Sequence, residues 1–126
     1  MTVKPKKIRL NRADKTLQIE FDDAEFELPA EYLRVYSPSA EVRGHGAGEG
    51  ELVSGKMYVG IENLEAAGRY ALKITFDDSH DSGIFTWEYL RELAENYEAN
   101  WQNYLERLYR AGKGRDPDEN PVKIIG

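Results

Sequence analysis

The stretch TLQIEFDDAEFEL, residues 16–28, decides how the chain is read. Leu17, Ile19 and Phe21 alternate with Gln18 and Glu20, the period of a strand with one buried face. Asp22 and Asp23 supply turn chemistry, and Phe26 and Leu28 resume the alternation. The stretch is therefore a hairpin, with Ile8 and Leu10 expected on a neighbouring strand. Hairpins in place of alternating βαβ units point to an α+β class built on antiparallel pairing.

Downstream, Pro29 occupies the position of a first helical residue, and AEYLRVY reads as a short helix that must stop before Pro38. A polar loop and a glycine-rich stretch follow. Two more β runs are then expected: Met57, Val59 and Ile61 alternate in the first, and Tyr70, Leu72, Ile74 and Phe76 in the second, with NLEAAGR as the link between them. After DDSHDSGIF the period changes. Thr86 reads as an N-cap, with Glu88, Glu92 and Glu95 on the side that favours the positive end of a helix. Leu90, Ala94, Tyr97, Trp101, Tyr104 and Leu108 form one apolar face, Arg107 and Arg110 suit the last turn, and Gly112 suits the stop. The expected order is β-β-β-α-β-β-α: a largely antiparallel sheet with one short helix and one long C-terminal helix packed on it.

A single helix of about 25 residues would run about 37 Å at 1.5 Å per residue, roughly the full diameter of a compact domain this small. Its far end is expected to overhang, which makes Trp101, Tyr104 and Leu108 a candidate partner surface, since Tyr and Trp anchor interfaces. Residues 1–111 are read as one domain and residues 112–126 as a flexible polar tail rich in Pro and Gly.

With 126 residues, 40% of them apolar, the chain is of a size to bury a core. Its 23 acids against 17 bases leave a formal charge of −6, which disfavours nucleic acid and anionic lipid as partners. Cysteine is absent, so disulfides, thiolate metal sites and thiol nucleophiles are excluded. No apolar run reaches the length of a membrane span or a signal peptide, and a cytoplasmic location is expected.

Few motifs carry chemistry. GELVSGK at 50–56 has the spacing of a phosphate-binding loop, but Met57 stands where Ser or Thr is required and a strand is expected where a helix should begin. DDSHD gathers Asp77, Asp78, His80 and Asp81, oxygen and imidazole groups that a divalent metal uses; the alternative is a solvated acidic turn. His45 is the other imidazole. His45, His80 and Asp78 are thus the candidate metal ligands. No G-x-S-x-G elbow surrounds Ser37, Ser39 or Ser82, so hydrolase chemistry lacks support, and Ser37 is read as capping the turn that Pro38 begins.

Two segments, LRVYSPSAEVRGHG and YALKITFDDSHDSGIFTWEYLREL, resemble the gamma-butyrobetaine hydroxylase-like N-terminal domain in its free-standing bacterial form. The resemblance spans most of residues 5–110. It implies the fold. In oxygenase members three cysteines of the matching loop and one later histidine bind zinc; the cysteines fall here on Ser37, Ser39 and Val42, and the histidine on His80. Three of four zinc ligands are therefore missing, and neither a serine hydroxyl nor valine replaces a thiolate. The resemblance also implies that the 37–42 turn lies close to His80, so that Ser37, Ser39 and Glu41 line a polar pocket with the histidines. The catalytic iron site of the oxygenases belongs to a separate domain. The expected function is a non-enzymatic binding or adaptor module with a protein partner and no cofactor, accessory to a metal- or cofactor-handling protein. A small metal-dependent enzyme or metal-binding protein using His45 and His80 is the alternative.

Overall fold

The computed structural model describes residues 4–38, 52–78 and 82–117, with Ser82 described for its backbone alone. Two three-stranded antiparallel sheets make up the β structure, each in sequential order. The first holds β1 (Lys7–Asn11), β2 (Thr16–Glu20) and β3 (Glu25–Pro29). Register sets Ile8 opposite Ile19, Leu10 and Leu28 opposite Leu17, and Phe26 opposite Ile19. All six apolar residues thus share one face, as their period of two requires. Leu17 and Ile19 on the central strand are wholly buried.

Pro29 is the N-cap of α1 (Ala30–Val35), which ends before Pro38. The second sheet holds β4 (Ile61–Ala67), β5 (Ala71–Phe76) and β6 (Ser82–Thr86). Both sheets contribute to a single core with α1 and the helix that follows β6, including Tyr32, Leu33, Ile74, Phe76, Phe85 and Leu90.

Three details depart from the sequence reading. Strand β4 covers most of the segment read as a link, while Met57 and Tyr58 are exposed. A bulge between Ile61 and Asn63 moves the next inward residue to Leu64, a spacing of three that hides the strand from a search for alternation. Strand β6 adds a third strand where only a loop was expected; it is short and carries Gly83, a residue that weakens a strand signal. The expected long helix is two helices, α2 (Trp87–Glu95) and α3 (Tyr97–Ala111), broken at Asn96, whose φ of −108° and ψ of 23° leave the helical range. The Asn96 side-chain amide donates to the Glu92 carbonyl at 2.9 Å, the local competition that makes Asn a poor helix-interior residue.

Both predicted caps are present. Thr86 Oγ1 accepts from Tyr89 N at 3.1 Å. Gly112 closes α3 in the left-handed region at φ 68°, which a β-carbon would disfavour. Arg91 of α2 clamps the β2–β3 hairpin: its guanidinium bonds both Asp23 oxygens at 2.8 and 2.9 Å and lies over Phe21 and Phe26. Arg12 ties the two sheets together, donating to the carbonyls of Ile61 and Glu62 at 3.2 Å each.

Candidate functional site

The end of α1 and the start of β6 meet at one corner. Ser37 follows α1 directly, and its backbone N–H donates to the Arg34 carbonyl at 3.3 Å. Its Oγ is buried and has no hydrogen-bond partner among the described residues, so the side chain does not make the expected cap. It lies directly on the backbone of Gly83, where any β-carbon would overlap it. Gly83 is thus a glycine of close approach, and the two segments that carry the family pattern touch through it.

Asp78, at the end of β5, closes the same corner. Its Oδ2 accepts from Arg34 Nε at 2.8 Å and from Lys56 Nζ at 2.5 Å. All three side chains are largely buried, at 11%, 22% and 18% exposure for Arg34, Lys56 and Asp78. Burial alone would raise the Asp78 pKa, but the hydrogen bonds from Lys56 and Arg34 outweigh it and hold the carboxyl below the usual range. Asp77 turns the other way: its carboxylate accepts from Gly60 N at 2.9 Å, and its own N–H donates to the Gly60 carbonyl at 3.0 Å.

Of the residues singled out from sequence, Ser37 and Asp78 are brought to this corner. A metal at Asp78 Oδ2 would compete with two cations already bound there. His45, His80, Ser39, Glu41 and Val42 lie outside the described residues. Among the described residues, no three metal-ligating side chains gather together. At position 37 the donor is a neutral hydroxyl wedged on a glycine backbone, which does not fit a zinc–thiolate site.

The expected partner surface is turned inward. Tyr104 and Leu108 are 2% and 4% exposed, and Trp101 is half-buried against the core. The chain covers this stripe itself. Tyr104 Oη donates to the Val53 carbonyl at 2.8 Å. The break at Asn96 divides the single long rod on which the overhang rested. Within the stretch 112–126 read as a flexible tail, Gly114 and Arg115 are held: the N–H groups of Gly55 and Met57 donate to their carbonyls at 3.0 Å each, while residues 118–126 lie outside the described residues. Arg115 then forms a two-pronged pair with Glu31 at 2.8 Å.

Sequence reasoning missed Arg34, Lys56, Glu31 and Arg115. Lys56 was visible only as part of the false phosphate-loop match, and its partner is a carboxylate 22 residues downstream. Glu31 was open to a sharper reading, since it sits in a short helix whose neighbours Ala30, Tyr32 and Leu33 are all apolar or aromatic and all buried.

Phenol burial marks the layer between α1 and the two later helices. Tyr32 Oη donates to the Leu93 carbonyl at 2.6 Å and receives from Asn100 Nδ2 at 3.0 Å. Burial pushes the Tyr32 and Tyr104 phenols up to about 12, and pushes Tyr89 higher still.

Comparison with known proteins agrees with the motif reading. The family described as gamma-butyrobetaine hydroxylase-like, N-terminal, matches residues 8–91. Two solved proteins, each described only as an NMR solution structure, are similar over 99% of this chain. One is 51% identical with a TM-score of 0.84 and 99% of its own chain covered; the other is 43% identical with a TM-score of 0.79 and 95% covered. A crystal structure from Acidithiobacillus ferrooxidans ATCC 23270, of a protein with unknown function in the DUF971 family, is 34% identical. It covers 71% of this chain and 91% of its own, with a TM-score of 0.60. A search of curated proteins found no match.

Proposed function

This chain belongs to the gamma-butyrobetaine hydroxylase-like N-terminal domain family, and we propose that it works as a non-enzymatic binding module, accessory to a metal- or cofactor-handling partner protein. The observation that carries this reading is the Asp78 carboxylate held between Arg34 and Lys56. Reaction centres keep a titratable group poised for a substrate, with a pKa near the working pH. Here one carboxylate is shared by two cations, and the carboxyl is held ionised and already engaged. Such a corner serves as a firm platform between α1, β5 and β6. The stretch at 37–46 starts from this platform and is the proposed contact region. The candidate surface at Trp101, Tyr104 and Leu108 is covered by the chain itself in this structure, so the 37–46 stretch is preferred to it.

The rival reading is a metal-dependent enzyme or metal-binding protein centred on His45 and His80. A titration of the metal-free protein with Zn²⁺, Fe²⁺ and Mn²⁺, following the two imidazole signals by NMR, separates the readings. The binding module predicts that neither ring responds at micromolar metal. A joint, saturable shift of both rings would overturn it in favour of the rival.

A further inference from the structure

The Glu31–Arg115 pair stands apart from the 37–83 corner and has the parts of a recognition site. Glu31 is only 6% exposed. Its Oε2 accepts from Arg115 Nε and its Oε1 from Arg115 Nη2, both at 2.8 Å, the fork-to-fork geometry specific to a guanidinium. The guanidinium carbon lies 5.3 Å from the centre of the Trp101 ring, within reach of a cation–π contact. Trp101 is in turn braced by Tyr97, stacked at 6.4 Å, and by Tyr104 at 5.1 Å.

The two halves of this arrangement come from different kinds of structure. Glu31 belongs to α1, and Trp101, Tyr97 and Tyr104 belong to α3. Arg115 comes from the strap that follows the Gly112 stop, and its side chain remains 37% exposed. The receptor is built on helices, while the ligand is tethered to an irregular segment hydrogen-bonded to Gly55 and Met57.

We propose that Glu31 and Trp101 form a guanidinium-binding pocket that Arg115 fills in cis, and that an arginine side chain of a partner protein fills it when the strap is displaced. Tethering gives Arg115 an effective concentration in the millimolar range or above, so the strap acts as a built-in competitor. A lysine side chain is a poor substitute, because its ammonium cannot bond both carboxylate oxygens in one plane.

The test is rescue in trans. Arg115→Ala in the full chain empties the pocket and leaves Glu31 buried beside Trp101. Methylguanidinium, at constant ionic strength, is expected to shift the Trp101 indole signal saturably at low millimolar concentration. Methylammonium is expected to have no such effect, and Glu31→Gln in the same background abolishes the response. If Arg115→Ala does not fold alone, methylguanidinium is expected to restore the folded spectrum and methylammonium is not. No response to methylguanidinium in either case, or an equal response to both cations, overturns the proposal.

Discussion

Ser37 Oγ rests on the α carbon of Gly83, so the hydroxyl that ends the α1 turn occupies the space that any side chain at position 83 would need. Phe85 crowds the same point, with its Cε1 3.1 Å from the place of a β-carbon. Gly83→Ala is therefore expected to destabilise the fold by about 1–3 kcal/mol, as overpacking does. Ser37→Ala removes a buried oxygen that lacks a partner among the described residues and is expected to be neutral or stabilising. Because the two positions touch, Ser37→Ala should soften the cost of Gly83→Ala. Urea unfolding of both single variants and the double variant checks this coupling, and simple additivity would contradict the contact.

The Arg34–Asp78–Lys56 cluster has a pH signature. Its carboxyl is depressed in the folded chain, so its stabilising effect is present above the unfolded pKa, near 4, and is lost as the pH falls through the folded value. Stability should fall on acidification below about pH 5, and Asp78→Asn should flatten that part of the profile. At neutral pH, Asp78→Asn is expected to cost roughly 2 kcal/mol, since it weakens two charge-assisted hydrogen bonds. Denaturation midpoints across the acid range measure both effects.

The alkaline side reports the buried phenols. Tyr32 and Tyr104 are raised from 10.0 to about 12, so folding keeps them neutral where an unfolded chain would ionise. Their contribution is intact below pH 10 and is lost as pH rises towards 12. Tyrosinate absorbance is expected to show Tyr32 and Tyr104 ionising late, together with unfolding.

Thr86→Ala should cost about 1 kcal/mol by removing the cap on α2. Thermal unfolding measures it, and an unchanged midpoint would mean that the Thr86–Tyr89 bond contributes nothing.

How much of this was legible in the sequence follows from how local each feature is. The first hairpin was readable because Leu17, Ile19, Phe26 and Leu28 obey a period of two on a sheet with one buried face. Thr86 and Gly112 were readable because caps depend on a single residue and its nearest turn. Strand β4 escaped because one bulge shifts the spacing from Ile61 to Leu64, and β6 because Gly83 is kept by a contact from Ser37 that no local pattern records. The break at Asn96 leaves the apolar stripe in register on both sides, so periodicity alone cannot see it. At the site, the family pattern pointed to position 37, but the partners of Glu31 and Asp78 come from 84 and from 44 and 22 residues away in sequence. Charge pairs over such distances leave no periodic trace.

The most direct test of the claim that an ion-paired corner supports the fold without a metal compares unfolding midpoints of chelator-treated protein with protein given Zn²⁺, Fe²⁺ or Mn²⁺. A ligand that binds only the folded chain adds about 2.7 kcal/mol at 100 times its Kd. The account predicts coincident midpoints with and without metal. A concentration-dependent rise in the midpoint with any of the three would contradict it.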